Sequence, residues 1–377
     1  MGNTRSVKVH QVLITGATGF VGSALAANLL ARGVKVIALS RNDPDSIRTI
    51  NAVLTAAHGC QLDVSGAVEN HLTVIDTDFS ELENILATTD LSGVTEVWHV
   101  AAEMSYSPHK LETAINTNVG NTARLYQTVQ QQAPRCRRFY YVSTAYVAGM
   151  AGGEVKEELH PFSQMVNTYQ TTKWSAEHSL HLLSLRNSLP ITIFRPSVVV
   201  GHRHTHWVHR NGFGFYMFQD AMLAVAGAGN CDLAIDLLPE PRLDLVSVDQ
   251  LCADACSLTL RSEDPGKFEV FHCSGGVAVP AEKMVQIWAD VAGVKAHLGN
   301  PTTSVEQKFD RAVRLNQRFM RIEWHFDRSR LDAVTGRTEP VKPLSAEEVW
   351  GLCAWYAGKP TNSKTSEAEK AATAEVI

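Results

Sequence analysis

The chain has 377 residues, 45% hydrophobic and 19% charged, enough for one large α/β domain with a smaller one appended, and disorder is excluded for most of it. A formal net charge of −5 gives no reason to expect a nucleic-acid partner, and no apolar run approaches the length of a membrane span. The seven cysteines, odd in number and without a pairing pattern, suit a reducing compartment, and residues 1–10 lack the apolar core of a signal peptide. A cytoplasmic protein is expected, with its oligomeric state left open.

The first element, residues 12–22 (VLITGATGFVG), is an apolar run that breaks into Gly16, Gly19 and Gly22 before an alanine- and leucine-rich stretch. It reads as strand, tight turn and helix, a device that brings backbone N–H groups against a pyrophosphate. A helix is expected over residues 23–31 and a second strand over 34–39, ending at Ser40-Arg41. Where an NAD-binding chain carries a carboxylate for the adenosine ribose, this one has Arg41, with the first acids only at Asp43 and Asp45. An arginine there suits a 2′-phosphate and favours NADPH.

Residues 72–76 form the third strand, followed by Asp78 and Phe79, an acid and an aromatic able to flank an adenine. A helix over 80–88 leads to a fourth strand, residues 96–102, ending in small Ala101 and Ala102 that leave room for a cofactor ribose. Residues 111–132 read as one long amphipathic helix and 138–142 as the fifth strand. This alternation implies a Rossmann-type doubly wound parallel sheet. After the fifth strand comes Thr144, and Tyr169 and Lys173 follow four residues apart, on one face of a helix. The ammonium can lower the phenol pKa and anchor a nicotinamide ribose, and the phenol can exchange the proton that accompanies hydride transfer.

Together, residues 15–22 (TGATGFVG), 99–102 (HVAA), 118–122 (NVGNT), 142–146 (VSTAY), 169–173 (YQTTK) and 194–197 (FRPS) resemble the extended short-chain dehydrogenase/reductases over about the first 200 residues. Within them, STAYV followed by GEVKEE is most similar to the thioester-reductase and fatty-acyl-CoA-reductase branch. The resemblance implies a Thr144, Tyr169, Lys173 triad and NADPH as cofactor. It also implies that Gly16, Thr18, Gly19, Phe20 and Gly22 hold the pyrophosphate, Arg41 the 2′-phosphate, Asp78 the adenine, and Ala101 with Pro196 the nicotinamide side. Asn121 departs from the glycine common in related sequences, a change expected to touch helix packing and not chemistry.

Residues 191–195 form the sixth strand, after which a smaller, partly helical substrate domain is expected over 201–360, with 235–260 returning to the dinucleotide-binding domain of residues 1–200. Residues 268–273 read as a further strand, and 361–377 as a mobile tail. Residues 201–210 carry His202, His204, His206 and His209 without an accompanying acid or cysteine, so a substrate-facing loop is expected and no metal. The aromatic stretch 211–218 is either core or the wall of an acyl pocket. Cys252 and Cys256 are expected to pack on one helix face, and Arg311, Arg314, Arg318 and Arg321 to share a face of another.

The expected activity is reduction of an acyl thioester, on an acyl carrier protein or coenzyme A, to the aldehyde and possibly onward to the alcohol. Two alternatives stand beside it. One is a nucleotide-sugar epimerase or dehydratase, or a hydroxysteroid-type dehydrogenase; the other is a non-catalytic NADP-binding sensor.

Overall fold

The computed structural model describes residues 10–209, 214–229, 232–262 and 266–360; the tail expected over 361–377 and residues 210–213 of the aromatic and histidine-rich region lie outside them. Seven strands form one parallel sheet: β1 (Gln11–Thr15), β2 (Lys35–Ser40), β3 (Leu72–Asp76), β4 (Glu96–His99), β5 (Arg138–Val142), β6 (Ile191–Pro196) and β7 (Phe268–Cys273). Their spatial order is β7-β6-β5-β4-β1-β2-β3, so the chain winds outward from β1 in one direction and then in the other. The reversal falls between β1 and β4, where a doubly wound sheet opens a crevice at the carboxyl ends of its strands.

Apart from the edge strand β3, the strands are apolar runs buried on both faces, as a sheet covered by helices requires. Leu13, Ile37, Val97, Phe139 and Ile191 face one core, and Val12, Val36, Trp98, Tyr140 and Phe194 the other. Trp98 stacks on Tyr140 with ring centroids 4.4 Å apart, and its indole N–H donates to Thr259 Oγ1 at 2.9 Å. That contact seats the helix Val248–Leu260, whose Cys252 and Cys256 are both buried in the same core.

Two features depart from the chain-order reading. The helix expected over 111–132 is three segments, Leu111–Ile115, a π turn over Asn116–Gly120, and Asn121–Gln132. The π turn places Asn118 inside, where Oδ1 accepts from Glu103 N (2.8 Å) and Nδ2 donates to Glu103 O and Thr172 Oγ1 (both 2.9 Å). One side chain thus ties the segment after β4 to the helix Thr168–Arg186. The second departure is β7, which pairs with β6 at the sheet edge although it comes from within the stretch expected to form the second domain.

The C-terminal part packs around its own core, in which Phe218 stacks on Trp288 at 4.6 Å and Tyr216 on Tyr356 at 4.4 Å. It holds the helices Tyr216–Gly227, Ala281–Ala292, Ser304–Gln317 and Ala346–Tyr356, the last two each closed by a capping box. Among the described residues no helix is long and apolar enough to cross a membrane.

Candidate active site

A cavity of ≈ 1030 Å³ runs from the tips of β1 and β2, past β4 and β5, into the C-terminal part. Ligand sites span about 300–1,000 Å³, so this one has room for a large cofactor together with part of a substrate. Gly16, Thr18, Gly19, Phe20, Gly22, Arg41, Asp78, Ala101, Thr144, Tyr169, Lys173 and Pro196 all line it.

At the dinucleotide end, the turn after β1 closes tightly on itself. Gly16 has φ +78°, and a Cβ there would lie 2.8 Å from Ala101 N; a Cβ on Gly22 would lie 2.1 Å from Gly16 O. Only glycines permit this approach, and it brings the N-terminus of the helix Phe20–Leu30 to the cavity, where a helix dipole favours a diphosphate. Deeper in, Ser143 Oγ is buried without a protein partner on the cavity wall. The glycine cradle and the helix end fit a pyrophosphate-bearing dinucleotide.

Arg41 and Arg48 lie beside one another at the tip of β2, both exposed to the cavity. Arg48 donates to Ser40 Oγ at 3.2 Å and to the Arg41 carbonyl. Nothing in the periodicity of residues 43–70 singled out Arg48; it reaches the site because its helix, Ile47–Gly59, starts immediately after the strand tip. Asp43 is not available to a ribose. Its carboxylate caps that helix, accepting from Arg48 N (3.1 Å), Thr49 N (3.0 Å) and Thr49 Oγ1 (2.6 Å). Asp78 lines the cavity with Oδ1 accepting from Ser80 N at 2.7 Å and from Ser80 Oγ, bonds that hold its carboxyl below the usual range.

At the chemical end, the helix Thr168–Arg186 begins at Asn167, whose side chain accepts from Gln170 N at 2.8 Å and fixes the first turn carrying Tyr169. Lys173 follows one turn later. Its Nζ donates to Val142 O at 2.6 Å and sits 4.5 Å from the Tyr141 ring centroid and 5.9 Å from that of Tyr169. Burial drives the Lys173 ammonium down to about 7, against the opposing pull of Glu177. The expected lowering of the Tyr169 pKa is not found: burial, with Tyr106 adding to it, holds the phenol above its ordinary value. A phenol so placed stays protonated and acts as a donor. Thr144, 7% exposed, caps the turn after β5 with its hydroxyl accepting from Tyr146 N at 3.3 Å.

Other readings shift as well. Asn121 lines the cavity, whereas a packing role was expected. In the histidine-rich loop, Val208 and His209 face the cavity, but Thr205 Oγ1 donates to Gly59 O at 2.5 Å, His206 lies against Gly351, and His202 Nδ1 accepts from His204 N at 3.2 Å. Among the described residues no three His, Cys, Asp or Glu side chains cluster to hold a metal. The four arginines do not share one helical face. The helix ends at Gln317, Arg318 caps it, Arg321 lies in a following 3₁₀ turn, and Arg314 and Arg321 pair with Asp310 (3.1 Å) and Asp236 (2.5 Å). Trp288, Asn316, Phe319 and Met320 complete the cavity from sequence positions that carry no local signature.

Fold and site together define an α/β protein with a doubly wound parallel sheet and a glycine turn at its crevice, and Thr144, Tyr169 and Lys173 line the same cavity. The family model described as male sterility protein, an NAD-binding family, matches residues 14–255, and the chain belongs to that family. It is 25% identical over 206 residues to an isonitrile lipopeptide synthase of Streptomyces coeruleorubidus, a stretch that is 54% of this chain and 14% of that protein. It is 30% identical over 199 residues to a polyketide synthase-nonribosomal peptide synthetase of Aspergillus flavipes, covering 50% of this chain and 4% of that protein. The chain therefore spans only a small part of these relatives. Among solved structures, the terminal R domain of the myxalamid PKS-NRPS biosynthetic pathway superposes with a TM-score of 0.70 at 19% identity, covering 93% of this chain and 90% of that one. UDP-glucuronic acid 4-epimerase from Bacillus cereus, in complex with NAD, does so with a TM-score of 0.62 at 19% identity, covering 92% and 95%. Both share the fold.

Proposed function

We propose that the protein is an NADPH-dependent reductase that converts an acyl thioester, held on a carrier protein's phosphopantetheine arm or on coenzyme A, to the aldehyde. One observation carries this reading. Beyond the triad the cavity continues into Val198, Phe215, Phe218, Trp288, Phe319 and Met320, and among the described residues after 200 that line it none is Lys or Arg. That wall receives an acyl chain and offers no grip for the diphosphate of a nucleotide sugar. The relatives named as polyketide and nonribosomal peptide synthetases, assembly lines built on carrier-bound thioesters, agree with it.

When bound, the reduced nicotinamide supplies hydride to the thioester carbonyl carbon. The charge that develops on the carbonyl oxygen is met by the hydroxyls of Thr144 and Tyr169, and the high phenol pKa keeps Tyr169 a donor throughout. Lys173 holds the ribose and the floor of the site through its bond to Val142 O. Cleavage of the C–S bond expels the thiol and leaves the aldehyde. Steady-state assays of acyl-CoA, acyl-carrier and nucleotide-sugar substrates test the assignment: NADPH oxidation with free thiol appearing is the expected result, and turnover confined to the nucleotide sugars reverses it.

NADPH preference rests on the pair at the tip of β2. Arg41→Ala and Arg48→Ala are each expected to cost about 1.5–3 kcal/mol of charge-assisted bonding to the 2′-phosphate, roughly ten- to a hundredfold in NADPH affinity, with NADH affinity hardly moved. Equal losses for both cofactors in a binding titration would place the arginines elsewhere.

A carrier protein presents an acidic surface, and exposed Arg311 and Arg314 on the helix Ser304–Gln317, with exposed Arg318 at its C-cap, lie on the chain segment that supplies Asn316, Phe319 and Met320 to the cavity wall. Reversing Arg314 and Arg318 to Glu is expected to raise KM for a carrier-bound substrate far more than for a pantetheine thioester, and to flatten its dependence on salt. Equal KM changes for the two substrates remove the docking role.

A further inference from the structure

A lysine in the floor of a cavity stays charged only where something answers its charge, because burial favours the neutral amine. Lys173 is 1% exposed, and its Nζ meets the Val142 carbonyl at 2.6 Å and the face of the Tyr141 ring at 4.5 Å, neither of which carries a charge. The other titratable groups around it supply none. Burial keeps Tyr141 and Tyr169 neutral phenols. His99 on β4 lies within 2.7 Å of Thr15 Oγ1 and 2.9 Å of Thr122 Oγ1, and burial drives it down to about 3, so it is a neutral imidazole.

The negative charge comes from one turn further along the helix Thr168–Arg186. Glu177 follows Lys173 by four residues, so the two side chains share a face of that helix, and Glu177 is fully buried. Arg195 on β6 clamps its carboxylate, donating from Nε to Oε1 at 2.9 Å and from Nη2 to Oε2 at 2.6 Å, and neither side chain has any exposed surface. Arg195 Nη1 donates to Glu158 O at 2.9 Å and lies 3.1 Å from His160 Nε2 and 3.3 Å from His272 Nε2, two imidazoles that burial and the guanidinium hold neutral. The fork fixes where the carboxylate stands. Glu177 is thus one anion shared by two buried cations.

We propose that Glu177 is a positioning residue: shared between Arg195 and Lys173, it supplies the counter-charge that keeps Lys173 an ammonium. The inference rests on the reading that Lys173 holds the nicotinamide ribose. An ammonium brings three donors and a full charge to the ribose hydroxyls, and discharge removes one donor and the charge. Burial takes Lys173 down to about 7 against the pull of Glu177, so the group stands close to discharge at neutral pH. With that carboxylate gone and Arg195 left as a second cation, the neutral amine is favoured there.

The test is NADPH affinity, followed by fluorescence titration from about pH 6 to about pH 9, in wild type, Lys173→Met, Glu177→Gln and a double variant, Glu177→Leu with Arg195→Met. Wild type is expected to bind progressively more weakly above about pH 7, and Lys173→Met to bind weakly without that fall. Glu177→Gln is expected to move the fall down by about one pH unit or more, the size of a lost opposite charge. Exchanging a buried ion pair for apolar side chains of similar volume is often neutral for folding, so the double variant decides should the single one not fold; it is expected to move the fall the same way by a smaller step. A fall that stays at its wild-type pH, or an affinity lowered equally at every pH, is what a merely structural role gives and overturns the proposal. Wild-type affinity that is level across the range overturns it too. Undiminished affinity in Lys173→Met instead removes Lys173 as the holder of the ribose, and this role with it.

Discussion

Tyr169→Phe is expected to lower kcat at least about a hundredfold while leaving NADPH affinity nearly unchanged, the size of a lost general-acid or oxyanion contact. The ring stays the same, so the packing of Tyr106 against it at 6.3 Å persists, and only the group that meets the substrate oxygen goes. Lys173→Met separates the two roles. Nζ donates to Val142 O at 2.6 Å, and in the proposed mechanism it holds the nicotinamide ribose, so its removal is expected to weaken NADPH binding as well as turnover. Stopped-flow binding and steady-state kinetics on the same preparations read both. Tyr169→Phe with most of its activity intact would contradict the proposed chemistry.

Gly22→Ala is expected to act on the cofactor alone, and strongly. The new methyl would sit 2.1 Å from Gly16 O and 2.6 Å from Gly16 C, backbone atoms that cannot yield without opening the turn that faces the pyrophosphate. Overpacking of this kind costs about 1–3 kcal/mol or more, and here the strain falls on the binding loop itself, so NADPH affinity should drop roughly ten- to a hundredfold. Fluorescence titration with NADPH checks it. Wild-type affinity in the variant would place the dinucleotide outside this loop.

What could be read from the chain is what local sequence determines. The glycine spacing after β1, the alternation of strands and helices to Pro196, and Tyr169 with Lys173 one helical turn apart all follow from short-range pattern, and the structure brings their residues to one cavity. What escaped is set by long-range contact. Trp288, Asn316, Phe319 and Met320 reach the cavity through the packing of the C-terminal helices, and β7 joins the sheet across a connection of some seventy residues from β6. The histidine-rich loop was expected to face the substrate; only its end, Val208 and His209, reaches the cavity, while Thr205 and His206 pack against Gly59 and Gly351, contacts set by long-range packing. The expected depression of the Tyr169 pKa failed for a related reason, because burial and the neighbouring Tyr106 both raise the phenol. The arginine stripe assumed a helix extending past Gln317, where the chain instead turns to seal the cavity with Phe319.

The most direct test of the thioester-reductase assignment is the fate of the hydride. With NADPH deuterated at the transferring C4 position and a pantetheine thioester as substrate, mass spectrometry of the product should find one deuterium on C1 of the aldehyde and one equivalent of free thiol, or two deuteriums on C1 if the alcohol is formed. Unlabelled product, or thiol release without NADPH oxidation, would contradict it.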